Sequence, residues 1–254
     1  MKTNIAIIIV LACFFSCKKN QSEPKETPSQ KKETQLIEVK KSIEPIVIDG
    51  ISDEPIWKET KWYPIDQLWV GQAYDSTDFQ GRYKLTWTDK SLYVLAEIID
   101  DSIFDQRADP LKFWWDDDCV EVFIDEDNSG GEHQYNHNAF AYHVALDGNA
   151  ADMSTKEEGI LFNEHVESKH TTAGNVMLWE LKFNLYNAET FDETKSNDPV
   201  KLSSGKKIGF AIAYCDNDGS PERENFIGSI PVEGEDKNRG WIDANIFGTL
   251  LLKD

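Results

Sequence analysis

The chain of 254 residues carries 26 basic and 46 acidic side chains, a formal charge of −20, and its length admits one large all-β domain or two small ones. Residues 42–254 hold 18 of the basic and 42 of the acidic groups, a charge of −24, which excludes the cationic footprint that nucleic acid demands. Such acidity suits solubility outside a cell, and it also gathers the hard oxygens that Ca²⁺ takes.

Lys2 and the almost unbroken apolar run from Ile5 to Ser16 have the form of a secretory signal, too short to span a bilayer as a mature helix. Cys17 follows Phe14-Phe15-Ser16 and precedes Lys18-Lys19, an arrangement that resembles a loose bacterial lipoprotein box. Cys13 is the rival, but cleavage there would leave an h-region of only about eight residues. Acylation of Cys17 would tie the chain to a bacterial membrane, the outer one by preference, without spanning it. An ordinary signal peptide with incidental cysteines is the alternative. Residues 18 to 41 are mostly Lys, Glu, Gln, Ser, Thr and Pro and read as a disordered tether; residues 42–254 read as one domain.

From Glu44 onward, short alternating or apolar runs are broken by Asp, Asn, Gly and Ser, the pattern of an antiparallel β-sandwich with little helix. The expected strands are Pro45 to Asp49, Gly81 to Trp87, Leu92 to Ile99, Cys119 to Asp125, Ala139 to Leu146, Val176 to Asn184, Lys207 to Asp216 and Phe247 to Leu252. Asp53 to Trp57 reads as one helical turn that Ser52 can cap. Loops at Asp125 to Gln134 and Asp216 to Arg223 are dense in Asp, Asn, Gly and Ser, and such loops on a rigid sandwich carry binding groups. Cys119 and Cys215 lie in strand-like stretches and read as buried free thiols; neither CxxC nor a Cys/His spacing for zinc is present.

Six of the eight tryptophans divide into two kinds. Trp57, Trp87 and Trp179 sit among apolar or strand-like neighbours and read as core. Trp114 and Trp115 precede Asp116-Asp117-Asp118, with room for one ring to tuck inward and the other to face solvent, while Trp241 lies between Gly240 and Asp243 in a segment without alternation. An indole on a polar loop is costly in water unless something covers it. A sugar ring can do so, stacking its C–H face on the indole while its hydroxyls reach carboxylates, amides and imidazoles. Edge tryptophans covered by loops are the plainer possibility.

The stretch Pro45-Ile46-Val47-Ile48-Asp49-Gly50 through Asp53-Glu54-Pro55-Ile56-Trp57, then Leu85-Thr86-Trp87 with Leu92-Tyr93-Val94, resembles the start of family 9 carbohydrate-binding modules. Trp115-Asp116-Asp117-Asp118-Cys119-Val120-Glu121-Val122-Phe123-Ile124-Asp125 and Trp241 to Leu252 continue the likeness, which spans residues 44 to 254. The resemblance implies a DOMON-like β-sandwich, non-catalytic, that serves polysaccharide capture or breakdown and clamps a terminal sugar between Trp115 and Trp241, with Glu121 holding hydroxyls. His143 stands where sugar-binding members carry Arg, a departure that weakens reducing-end specificity. An alternating-strand His is also an ordinary satisfied core or edge residue.

Asp125, Asp127 and Glu132 lie in one turn-rich loop and are the candidate ligands of a structural Ca²⁺, although the loop lacks EF-hand spacing. No organic cofactor is expected. A glycosidase would need two carboxyl groups across a scissile bond, and so acidic a chain always offers a pair. Some DOMON-like sandwiches bind haem through Met or His, for which Met153 and Met177 are the internal methionines.

Overall fold

Strands that alternate apolar residues must bury one face, and this chain does so by stacking two sheets. The computed structural model describes residues 36–254. The signal segment with Cys17, and residues 18–35 of the expected tether, lie outside them. In chain order the elements are β1 (Leu36–Lys40), α1 (Pro55–Glu59), β2 (Tyr63–Ile65), β3 (Gln67–Val70), β4 (Phe79–Trp87), β5 (Leu92–Asp100), β6 (Cys119–Asp125), β7 (Phe140–Ala145), β8 (Ala150–Met153), β9 (Gly159–Leu161), β10 (Val166–Ala173), β11 (Val176–Phe183), β12 (Lys207–Asp216), β13 (Asn225–Gly228) and β14 (Gly248–Lys253).

One sheet runs β1-β14-β12-β6-β7-β8-β9, with β13 pairing β12 and β3; the other runs β10-β11-β5-β4-β2. Every pairing is antiparallel except β1 with β14. Between the sheets, alternate residues of each strand interdigitate: Val120, Val122 and Ile124 of β6 and Phe210, Ile212 and Tyr214 of β12 meet Tyr83, Leu85, Val94, Trp179 and Leu181. Trp87 and Trp179 are fully buried, and Trp57 nearly so, as their apolar neighbours imply.

Strand β6 is buried at all seven positions, so its outer face is covered as well. A second cluster there joins Cys119, Phe123, Ala141, Ala211, Ala213 and Cys215 to Trp69, Ile230 and Phe247, which loops and strand ends lay over the sheet. The alanines are small. They let the covering layer pack close to the sheet.

Three expectations are corrected. The tether ends earlier than its composition suggests, because Leu36–Lys40 pairs with β14 from Leu36↔Thr249 to Lys40↔Lys253 and buries Ile37 and Val39; two apolar residues at period two are enough when an edge is waiting. Pro45 to Asp49 is not a strand. Carboxylates take its amides instead: Asp49 and Gly50 donate to Glu180 Oε2 at 3.1 and 3.0 Å, and Val47 donates to Glu54 Oε1 at 2.9 Å. Glu180 is wholly buried in β11, where loss of solvation pushes its carboxyl up to about 7. The helical turn forms two residues later than read, with Glu54 rather than Ser52 at its N-cap and Pro55 supplying a preset φ.

Candidate functional site

The outer face of the first sheet holds a cavity of 440 Å³ lined by Trp114, Trp115, Glu121, Tyr135, His143, Asp152, Met153, Arg223, Asn238 and Trp241. The four residues singled out from sequence, Trp115, Trp241, Glu121 and His143, thus line one cavity. Register explains the floor: Glu121 on β6 is directly opposite His143 on β7, and such cross-strand neighbours share a face. The imidazole Nε2 lies 2.9 Å from Glu121 Oε2. Burial works against the charged imidazole, but the carboxylate outweighs it and holds His143 above its usual range.

One wall is the loop from β5 to β6. At Phe113 the backbone turns through φ 53°, a conformation that costs a bulky residue free energy. The turn sets Trp114 and Trp115 edge to face, ring centroids 5.0 Å apart at 75°. Both are half-buried, so neither ring is tucked fully inward. Trp114 presses over Gly159, where a Cβ would lie 2.6 Å from its Cη2. The acids that follow pin this loop: Asp116 takes the Arg107 guanidinium at 3.1 Å, Asp117 accepts from Arg107 N at 2.6 Å, and Asp118 accepts from Phe104 N and Asn217 N at 2.7 and 2.9 Å.

Trp241 also lines the cavity, with Tyr135 edge-on at 6.5 Å. His133 locks the two loops together: its Nε2 faces the carbonyl of Gly240 at 2.8 Å and its amide donates to Ile242 O at 2.8 Å. Beneath the turn, Gly240 rests on Phe123; a Cβ there would come within 2.6 Å of the ring.

Sequence reading missed Tyr135, Asp152, Met153, Arg223 and Asn238 as cavity residues. Arg223 closed a loop marked for its polar density, which was the available signal; β8, which carries Asp152 and Met153, was not foreseen. The Asp152 carboxyl accepts from the amides of Ala141 and Met153 at 2.8 and 2.7 Å, and burial pushes it up to about 7. Arg223 reaches Cys215 Sγ with Nη1 at 3.3 Å and stacks over Phe226 at 4.1 Å. Cys119 and Cys215 are free and buried, opposite one another in register.

In the loop with Asp125, Asp127 and Glu132, two carboxylates accept from the loop's own backbone. Asp125 accepts from Gly130 N at 2.7 Å, and Asp127 accepts from Ser129 N at 2.9 Å. Glu132 bridges Asp243 through its backbone. Among the described residues the convergent acidic groups lie elsewhere: Asp100, Asp118 and Asp216, all buried, and Asp78, Asp101 and Asp218 at the surface. In the first group burial pushes Asp118 up to about 9 and Asp216 up to about 8. Asp216 Oδ1 has no hydrogen-bond partner.

A family model described as "Carbohydrate family 9 binding domain-like" matches residues 48–254. Among curated proteins, endo-1,4-beta-xylanase A of Thermoanaerobacterium saccharolyticum is 25% identical over 218 residues, 81% of this chain and 15% of the enzyme. Exoglucanase XynX of Acetivibrio thermocellus is 26% identical over 207 residues, 81% of this chain and 16% of the enzyme. The chain therefore spans about a sixth of these relatives. Among solved structures, a family 9 carbohydrate-binding module of Caldicellulosiruptor kristjanssonii in complex with cellotriose aligns over 86% of this chain and 94% of its own, with a TM-score of 0.64 and 21% identity. The same figure for TM-score and identity holds for the module's complex with glucose, over 96% of that chain. That likeness is one of fold.

Proposed function

The chain belongs to the carbohydrate family 9 binding domain-like family, and from that premise we propose that its outer-face cavity binds a sugar without turning it over. Trp115 and Trp241 stack on the two faces of the ring, and Glu121 with His143 takes its hydroxyls. The observation that carries this reading is the meeting of two half-buried indoles and a buried Glu–His pair around one cavity of 440 Å³, within the size range of ligand sites.

A pyranose with equatorial hydroxyls offers two flat C–H faces, one for each indole. Gluco- or xylo-configured units of a β-1,4-linked chain meet that requirement, and the glucose and cellotriose complexes of the Caldicellulosiruptor module support the choice. Covering each ring is worth about 1.5–3 kcal/mol, and the sum offsets lost rigid-body freedom to leave affinities from about micromolar to millimolar. The match covers a small share of each relative, so the reading takes binding from it and leaves hydrolysis to the rest of those enzymes.

Calorimetric titration with glucose, cello- and xylo-oligosaccharides tests the reading. Trp115→Ala and Trp241→Ala should each weaken binding at least tenfold with the melting temperature kept within a few degrees. Failure of every such sugar to bind at millimolar concentration, or undiminished affinity in both variants, would sink it. The proposal extends to the N-terminus: Cys17 carries lipid, and the module serves polysaccharide capture from a bacterial membrane. Palmitate-analogue labelling should vanish in Cys17→Ala and persist in Cys13→Ala; the reverse pattern makes Cys13 the anchor.

A further inference from the structure

Glu121, His143 and Cys215 converge on one spot of the cavity floor from three adjacent strands. A carboxylate oxygen, an imidazole nitrogen and the thiol sulfur all lie within 4.8 Å of one another, and all three side chains are buried. No spacing in the sequence announces them, because register assembles them. Glu121 lies opposite His143 on one side and Ala213 on the other, and Cys215 stands two residues beyond Ala213 on the same face. Ala213 brings only a methyl group, leaving room between the three.

The pair at the centre is arranged as ligands are. His143 turns Nδ1 toward the carbonyl of Ala141 at 3.3 Å and Nε2 toward Glu121 at 2.9 Å. A metal-bound imidazole commonly shows this pattern, one nitrogen on a backbone carbonyl and the other on the ion. Glu121 Oε2 is buried, close to the imidazole, yet accepts no hydrogen bond of good geometry. Its polar neighbour in the metal-free chain is the imidazole itself, and a cation between the two would replace that ion pair.

We propose that this floor binds one divalent transition-metal ion of the zinc type, held by the carboxylate of Glu121, Nε2 of His143 and Sγ of Cys215, with a fourth position open to the cavity. One thiolate, one imidazole and one carboxylate favour Zn²⁺ or Co²⁺ over Ca²⁺ or Mg²⁺. A doubly charged ion with thiolate, carboxylate and neutral imidazole is formally neutral, which limits the cost of burial. Binding releases the thiol proton and any proton shared between His143 and Glu121. Arg223, 3.3 Å from the sulfur, remains as an N–H donor to the bound thiolate. Cys119, whose Sγ lies 3.8 Å from Trp114 O, stays outside the ligand set.

The test uses the full chain stripped of metal with a chelator, titrated with Co²⁺ by absorbance and with Zn²⁺ against a chromophoric chelator. One equivalent of Co²⁺ should give a near-ultraviolet thiolate-to-cobalt charge-transfer band together with tetrahedral ligand-field bands. Cys215→Ser should abolish the charge-transfer band, His143→Ala should weaken Zn²⁺ binding at least tenfold, and Cys119→Ser should retain the band. Excess Ca²⁺ should not compete. Absence of the charge-transfer band, or its loss in Cys119→Ser and survival in Cys215→Ser, overturns the proposal. Melting curves of each variant separate loss of ligand from loss of fold, and Glu121→Gln supplies a near-isosteric second variant if His143→Ala does not fold. Sugar titrations on the metal-free chain, where Glu121 and His143 are free to take hydroxyls, keep the carbohydrate reading separate, since there it fails or holds whichever way the cobalt spectrum falls.

Discussion

Asp216→Asn should raise the stability of the domain, and more so as the pH rises. Asp100, Asp118 and Asp216 crowd together in the interior, with Asp216 only 2% exposed. Burial pushes Asp216 up to about 8 from an ordinary 3.8. A carboxyl raised on folding contributes stability that is fully present below its unfolded value, near 3.8, and is lost as the pH climbs through about 8. At 1.36 kcal/mol for each tenfold change in proton affinity, the loss above pH 8 is on the order of 5 kcal/mol. Asp100 and Asp118 share the penalty with Asp216, which leaves about 2 kcal/mol assignable to Asp216 alone. An amide in its place keeps the shape, carries no charge and can donate to a neighbouring carboxylate. For a domain of this size about 2 kcal/mol corresponds to a melting point roughly 4–8 °C higher. Thermal melts from pH 4 to 9 are the assay: the variant's advantage should be small near pH 4, grow with pH and level off above pH 8. A variant that melts lower than the parent at pH 8–9 would refute the argument and show that ionised carboxylates stabilise this spot. The acids matter to the cavity because Asp118 holds both Phe104 and Asn217.

Gly159→Val should weaken sugar binding at least tenfold while leaving the melting point nearly unchanged, because the new Cβ meets the Trp114 ring at 2.6 Å on an edge strand; unchanged affinity by calorimetry means that Trp114 does not shape the site. Gly240→Ala should lower affinity by displacing the Trp241 turn from Phe123, and quenching of the indole fluorescence by acrylamide should rise. Removal of residues 1–40 should cost about 3–5 kcal/mol, since Ile37 and Val39 leave the core together, and urea unfolding would read it; an equal midpoint would return those residues to the tether.

What could be read in advance follows the reach of each interaction. Cys119–Asp125 and Lys207–Asp216 emerge with the bounds expected of them, because each is an apolar run ending at Asp and needs no knowledge of its partner. Leu36–Lys40 is hidden by polar neighbours, and its partner β14 lies more than two hundred residues away. Pro45 to Asp49 is a short apolar run that reads like a strand, but its fate is decided by Glu180, a buried acid far along the chain. The same division holds at the site. Trp115 and Trp241 stand out locally as rings on polar loops. Glu121 and His143 were named through the family resemblance, and it is register that makes them neighbours. Arg223 and Asp152 reach the cavity only through the loop and strand that carry them.

The parallel pairing of β1 with β14 has a mechanical side. If the chain is held through the residues before Leu36, a pull on the domain by a captured polymer arrives first at β1. That strand is joined to the sheet by the five register pairs with β14, while β14 is separately joined to β12. Load along the strand axis shears the five pairs together, whereas load across it peels them one at a time and yields at lower force. Detachment of β1 would lengthen the leash and leave the cavity floor, built on β6, β7 and β12, in register. The first strand would then act as a fuse, giving way before the grip on the polymer does.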